Sequence, residues 1–345
     1  MIQEVILSEK YRPTTLTEVV GHETIVSKLH QFIGVNNLPH LVFYGPAGSG
    51  KTSMAMALAR DLYGDSWETN FTMFNASNFF DYGKKYLVQD ERFVHLLGTD
   101  DPARIQKSVI DIFKQIINEY AGYAVLDADY KIIYINNAER LSRDAQHALR
   151  RIMEKYSTTC RFILSTTQCS KIIPPLRSRG LNLFFRYATD DELKQHLKHV
   201  AESEGISMAD DGLNAIARIA KGNISLAMRM LQEASLDDDV VNLNSVYEMN
   251  LTQRMGGVEQ LLGAVMDMDF NDARKYLDEL MLVDGLSGGE IIEQMAQEVQ
   301  DKGFSPPMAA RISVELARAD YLCMEGVNER IQLEAMCARL LPLFV

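Results

Sequence analysis

The residues Gly45-Pro46-Ala47-Gly48-Ser49-Gly50-Lys51-Thr52 fit the pattern G-x-x-x-x-G-K-[ST]. They follow an apolar, partly β-branched run, Leu41-Val42-Phe43-Tyr44, that reads as a buried strand, and they precede Ser53 to Arg60, which reads as a helix. Strand, glycine loop and helix arrive in the order that a phosphate-binding loop requires. Its glycines let backbone N–H groups turn toward a triphosphate, Lys51 reaches the outer phosphates, and the Thr52 hydroxyl is placed to ligate Mg²⁺. A nucleotide site on an α/β sheet is the first expectation.

Further strand-like runs alternate with helical ones through roughly the first 185 residues, as a parallel sheet covered on both faces requires. Phe71 to Phe74 reads as a second strand ending at Asn75. Asp101-Pro102 offers a cap and a first-turn proline for a helix from Ala103 to about Tyr120. Lys131 to Ile135 is the third strand, Ser142 caps a helix from Arg143 to Tyr156, and Arg161 to Thr166 is the fourth strand. The fold class is thus α/β, a doubly wound parallel-sheet domain over 1–186. After Tyr187 strand signals stop, and helices over Asp190–Glu204, Ala209–Ala220 and Ser225–Ala234 make a small lid over 187–236. Leu236 to Asn244 is polar and acidic and suits a linker. Helical patterns broken at Gly256-Gly257, Gly285 to Gly289, Pro306-Pro307 and Gly326 then imply an all-helical domain of about five helices over 237–345.

A chain of 345 residues exceeds one comfortable hydrophobic core, and 47% hydrophobic content excludes disorder. No run reaches the length of a membrane span, and Met1 to Lys10 lacks a basic-then-apolar leader, so an intracellular protein is expected. Cys160, Cys169, Cys323 and Cys337 have no C-x-x-C spacing and read as buried thiols. His22, His40 and His147 lack metal-ligand spacing and read as structural, while Met266, Met281 and Met295 read as packing. The net charge of −12 argues against nonspecific nucleic-acid binding by the whole surface, leaving room only for a local basic strip. Asp237-Asp238-Asp239 reads as solvated linker.

Several segments together resemble the small subunits of replication factor C, the AAA+ clamp loader of archaea and eukaryotes. They are Glu9-Lys10-Tyr11-Arg12-Pro13, the glycine loop, Asn75-Ala76-Ser77, Asp144 to Glu154, Ile172 to Arg179, and Ala319 to Leu333. The resemblance spans almost the whole chain. It implies an AAA+ nucleotide-binding domain, a helical lid and a C-terminal collar, in a five-subunit spiral that uses ATP and Mg²⁺ to load a sliding clamp onto primer-template DNA. It also implies partners, namely the large subunit, further small subunits, the clamp and DNA, and a cytoplasmic location in an archaeon or a nuclear one in a eukaryote. Nucleotide contacts would come from Tyr11, Arg12, Pro13, Gly45, Pro46, Ala47, Gly48, Ser49, Gly50, Lys51, Thr52, Ser53, Asn137 and Thr167. Ser178-Arg179-Gly180 keeps the arginine that in this family reaches a neighbouring subunit's γ-phosphate, although glycine replaces the usual cysteine. By the same resemblance Arg104 and Lys107, on the helix from Ala103, are candidates for DNA phosphates, and clamp contacts fall near Ile112 to Tyr123.

The chain also departs from that family. Where the family usually reads Asp-Glu-Ala-Asp, this chain reads Asn136-Asn137-Ala138-Glu139. Asparagine takes up no proton at physiological pH, so Asn137 can only position water by hydrogen bonding. The family's sensor asparagine aligns with Thr167 and its lid arginine with Ser225, with Arg229 one turn later as a partial substitute. Phe79 to Thr99 is an insertion, in which Phe79, Phe80, Tyr82 and Tyr86 read as packing and Lys84 and Lys85 as its basic residues. The altered acids, with Asp144 to Arg177 close to the loader's end subunit, point to a subunit that binds ATP, hydrolyses it poorly and lends Arg179 to a neighbour. Two alternatives stand beside it: a self-sufficient AAA+ ATPase in which Glu139 or Asp129 is the acid, and a nucleotide-free scaffold.

Overall fold

The computed structural model describes residues 6–99, 101–123, 128–237, 240–247, 257–283, 285–326 and 328–344. Met1 to Val5, Asp238 and Asp239 of the acidic run, and Gly256 of the glycine pair lie outside the described residues. The chain forms two compact units, Met1–Ser245 and Val246–Val345. Helices of ten residues or more are numbered here.

The first unit is built on a five-stranded parallel sheet: β1 His40–Tyr44, β2 Phe71–Asn75, β3 Lys131–Asn136, β4 Cys160–Thr166 and β5 Gly180–Phe184, in the order β2-β3-β4-β1-β5. Side chains alternate across each strand, so each strand serves two cores. Leu41, Phe43, Ile132, Tyr134 and Ile163 face α1 (Glu23–Gly34) and α2 (Lys51–Tyr63), meeting Ile25, Leu29, Met54 and Leu58. Val42, Ile133, Ile135, Phe162 and Leu164 face α3 (Val109–Gly122) and α4 (Arg143–Lys155), meeting Ile112, Ile116, Leu149 and Ile152. Burial on both faces makes the interior strands read as unbroken apolar runs, and the helices sit where a parallel sheet's crossovers must put them.

The four expected strands are present, and the edge strand β5 is an addition. Its residues are mostly half-exposed, and it opens on glycine, so it carries little hydrophobic signal. The helix expected from Ala103 begins instead at Val109. Asp101 and Pro102 do cap a start, with Asp101 accepting from Ala103 N at 2.9 Å, but the helix is a single 3₁₀ turn, Pro102–Arg104. Ile105 then turns into the core, and Ser108 caps α3 by accepting from Asp111 N at 3.1 Å. The insertion folds as short helices, Lys84–Gln89 and Glu91–Leu97, after Ala76–Phe80. Phe79, Leu87 and Phe93 are buried, Phe80 and Tyr86 pack on them, and Tyr82 is exposed.

The lid has α5 Asp190–Glu204, α6 Asp210–Ala220 and α7 Ile224–Asp237. Thr189 and Glu192 form a capping box at the start of α5, and Gly205 ends it in the left-handed region at φ 70. Strand structure does not stop at Tyr187: β6 Ser207–Met208 pairs in parallel with β7 Val240–Val241, and Ala209 N donates to Val241 O at 2.9 Å. That ladder ties the segment expected to be linker to the lid.

The second unit holds α8 Gly257–Met266, α9 Phe270–Leu282, α10 Gly288–Asp301, α11 Pro306–Glu325 and α12 Glu329–Leu340. Its core is made of its own residues, among them Leu261, Leu277, Ile291, Met295, Ile312, Leu333 and Met336. Arg330 clamps the Asp278 carboxylate with Nε and Nη2 at 2.5 and 2.9 Å, pinning α12 to α9.

Candidate nucleotide site

The loop leaves the C-terminal end of β1 and enters α2 at Lys51, with Gly45, Gly48 and Gly50 all at positive φ. A Cβ on Gly45 would lie 2.0 Å from Phe185 O, and one on Gly48 would lie 1.9 Å from Asn223 Oδ1. These positions need glycine for space as well as for conformation. Met54 N makes the first intrahelical bond of α2, to Gly50 O at 2.9 Å, so the N–H groups of Gly50, Lys51, Thr52 and Ser53 have no helical acceptor. Four donors and the positive end of a 13-residue helix therefore converge on the loop. From outside the loop, the buried His22 imidazole braces it, Nε2–H donating to Ser49 O at 3.0 Å.

Lys51 is only 8% exposed. Its ammonium donates to Gly45 O at 2.8 Å and Pro46 O at 2.6 Å, and Ser49 Oγ lies 3.4 Å away. Burial pulls its pKa down to about 8, with the Glu139 charge opposing the shift. A buried ammonium resting on neutral oxygens, beside four free N–H donors, suits a polyanion. The residues present fit a nucleotide's phosphates.

The metal position is different in kind. Thr52 Oγ1 and the Tyr134 hydroxyl are hydrogen-bonded at 2.8 Å, and Tyr134 OH donates to Asn136 Oδ1 at 3.5 Å, the long limit of such a bond. Tyr134 and Asn136 are two residues apart on β3 and share a face, so the strand's pleat builds this row. Burial pushes the Tyr134 phenol up to about 12, and it stays neutral at physiological pH. Among the described residues no cluster of three or more His, Cys, Asp or Glu could hold a metal ion. Three neutral oxygens tied to one another do not fit an ion held by the chain, which normally rests on a carboxylate.

Beside this row, Asn137 sits in the left-handed region at φ 50, a conformation asparagine tolerates, and its Nδ2 donates to Asn75 Oδ1 at 3.1 Å. Thr167 Oγ1 donates to Glu139 Oε1 at 2.8 Å, joining the ends of β3 and β4. Burial would raise the Glu139 pKa, but hydrogen bonds to its ionised form outweigh that and hold it below the usual value. Glu139 Oε2 is buried without a partner. Asp129, the other acid considered, instead accepts from Asn36 Nδ2 and belongs to the start of β3.

A cleft beside the loop runs between the sheet domain and the lid. Tyr11, Arg12, Pro13, Val19 and Val20 form one wall, Gly48, Gly50 and Ser53 its floor, and His196, Ile224, Ser225 and Met228 the lid wall. Lys10 and Tyr11 are drawn to the lid by Glu204, the ammonium at 2.6 Å and the phenol at 2.5 Å. Arg12 donates to Met56 Sδ and pairs with Glu9, while its buried Nε has no partner. Ile224 N donates to Gly48 O at 3.2 Å, so the lid helix starts on the loop itself. Arg229 does not line this cleft: it is exposed and lies 4.0 Å from Glu233.

Arg179 stands elsewhere. It precedes Gly180, which pairs with His40 at the start of β1, whereas the loop leaves β1 after Tyr44. Four residue steps of parallel strand put these ends ~13 Å apart. The guanidinium is held in place by Glu154 and by Pro175 O, to which Nη1 donates at 2.9 Å. Arg104 is exposed and pairs with Asp101 at 3.4 Å, and Lys107 donates to Gln115 Oε1 at 2.6 Å. Neither lies within α3, so the helix face expected to carry both does not exist.

Residues 41–186 match the family described as ATPase family associated with various cellular activities (AAA), and residues 257–339 match the replication factor C C-terminal domain. A replication factor C small subunit of Halobacterium salinarum is 38% identical over 96% of this chain and 94% of its own length. The chain belongs to the replication factor C small subunit family. Small subunits of Haloarcula marismortui and Archaeoglobus fulgidus are 36% and 37% identical, over 98% and 96% of this chain and 95% and 96% of theirs. Among solved structures, the Thermotoga maritima RuvB Holliday junction branch migration motor aligns with a TM-score of 0.50 at 17% identity. That alignment covers 83% of this chain and 85% of RuvB, and shows a shared fold.

Of the residues expected at one site, Tyr11, Arg12 and Pro13 line a cleft with Gly48, Gly50 and Ser53 of the loop and α2, whereas Asn137 is bonded to Asn75 and Thr167 to Glu139. Sequence reasoning overlooked Tyr134, His196 and Met228. Tyr134 was hidden inside an apolar strand run, where its hydroxyl two residues before Asn136 was the available sign. His196 and Met228 belong to lid helices whose approach to the loop no local pattern encodes.

Proposed function

We propose that this chain is a clamp-loader subunit that binds ATP, hydrolyses it poorly, and lends Arg179 to the ATP site of a neighbouring subunit. It would act with a large subunit and other small subunits to load a sliding clamp onto primer-template DNA. One observation carries the reading: an intact cationic cradle adjoins a neutral row, Thr52–Tyr134–Asn136, with Asn137 tied to Asn75. The loop N–H groups and Lys51 bind phosphates without any help from carboxylates. Asn137 is no general base, because an amide has no proton-accepting site near neutral pH. The bound nucleotide supplies phosphate anchors for the loop and, at a subunit boundary, a phosphoryl group that a neighbour's arginine can stabilise. Any Mg²⁺ would arrive on the phosphates.

Equilibrium binding of a fluorescent ATP analogue and steady-state turnover by the isolated chain test this together. The expected result is measurable binding, abolished by Lys51→Ala, with turnover at background. Appreciable turnover that Lys51→Ala removes would overturn it, and absence of binding would favour the scaffold reading. The buried, unpartnered Glu139 Oε2 favours a second reading, in which Glu139 is the acid of a self-sufficient ATPase. In that case Glu139→Gln removes turnover while binding persists.

A further inference from the structure

Thr52, Tyr134 and Asn136 do more than lower hydrolysis. In a phosphate loop of this pattern the threonine hydroxyl is the chain's direct contribution to a magnesium ion, which keeps several waters and is usually anchored by one or two carboxylates as well as phosphates. Here that hydroxyl is bonded to a phenol at 2.8 Å, and the phenol leads on to an amide oxygen. The row has no formal charge. Its middle member is enclosed: Tyr134 is fully buried on the sheet face shared with Met54, Ala55 and Leu58 of α2, while Thr52 and Asn136 are half-buried. Glu139, whose charge reaches Lys51, has committed Oε1 to Thr167.

The phosphate side of the same site pulls the other way. Lys51, the free N–H groups at the start of α2 and the helix's positive end all respond to negative charge. A metal-free triphosphate offers more of it than a magnesium-bound one. Magnesium would therefore reduce the charge that the cradle reads while gaining no anionic anchor from Thr52, Tyr134 or Asn136.

We infer that this site takes its nucleoside triphosphate without needing a divalent cation, because the row adjoining the Thr52 hydroxyl, Tyr134 and Asn136, offers a metal no carboxylate. The inference rests on the nucleotide-binding reading above, and one experiment separates the two. Affinity of the full chain for ATP carrying a ribose fluorophore is measured with magnesium chloride and with EDTA at matched ionic strength. The expected dissociation constants agree within about fivefold, a difference of ~1 kcal/mol or less. Binding weakened by more than about fivefold in EDTA overturns the inference and leaves the nucleotide site standing. If that weakening disappears in Glu139→Gln, Glu139 is the metal's anchor. Absence of binding in both buffers overturns both readings. The double variant Tyr134→Phe/Asn136→Asp, which removes the phenol and places a carboxylate beside Thr52, should acquire a magnesium dependence above about fivefold. A folded double variant that binds equally well in both buffers would show that these two residues are not the cause. The wild-type comparison decides the main point whether or not that variant folds.

Discussion

His40 illustrates how little a residue's type says about its role. Its Nδ1 accepts from Phe162 N at 3.1 Å, which only a neutral imidazole can do there, and burial followed by the nearby Arg161 charge pulls its pKa down to about 4. The unfolded chain takes up this proton near pH 6.5, whereas the folded chain resists it until about pH 4. His40 is thus neutral cost-free above pH 6.5, and stability is lost as pH falls from there toward 4. About 2 kcal/mol should be lost between pH 7.5 and pH 5 from this group. Urea unfolding of wild type and His40→Gln checks it, the difference between the two shrinking at the lower pH. A difference independent of pH would mean that His40 titrates normally in the fold. The sequence placed His40 outside any metal site, but its proton affinity depends on β4 lying alongside, which only the folded sheet provides.

At the scale of elements, α3 shows two start signals in competition. Asp101-Pro102 and Ser108 both satisfy the chemistry of a helix cap, and both are used. The first starts a single 3₁₀ turn because Ile105 must leave it to enter the core. The second starts a 14-residue helix with Ile112, Phe113, Ile116 and Ile117 on its buried side. A cap is worth what the helix behind it is worth. Ser108→Ala should therefore cost about 1 kcal/mol of unfolding free energy and Asp101→Ala only a few tenths. Chemical denaturation of the two variants measures this, and equal losses would return the start of the helix to Ala103. Edge strand β5 was missed for a related reason: half-exposed residues leave no strong periodic mark, and its pairing with β1 joins residues 140 positions apart, Leu41 with Leu181.

For the whole molecule, the decisive geometry is that Arg179 and the glycine loop lie at opposite ends of adjacent strands. An arginine at that position is remote from its own loop, as the proposed role in a neighbouring subunit's site requires. Glu154 and Pro175 O hold it meanwhile at the surface, with the side chain about one-third exposed at 31%. In a reconstituted replication factor C assembly, Arg179→Ala should lower DNA- and clamp-stimulated ATP turnover by at least tenfold, the scale of arginine-finger effects being 10³–10⁵ where a single site is rate-limiting. Asn137→Ala should leave turnover nearly unchanged. Equal losses from both would assign this chain's own site a part in the chemistry. Incorporation of each variant, followed by size-exclusion chromatography, distinguishes a lost finger from a lost interface.

The order of the elements, the glycine loop, and the absence of carboxylates at Asn136 and Asn137 were legible from residue identity, because each depends on local spacing and on what a side chain can do anywhere. The family followed from the same local motifs taken together. The hydroxyl row from Thr52 to Tyr134, the tether from Asn137 to Asn75, the neutral His40 and the remoteness of Arg179 required the fold. Each joins residues distant in the chain, and hydrogen bonds at about 3 Å depend on strand register and helix placement that no short window of sequence contains.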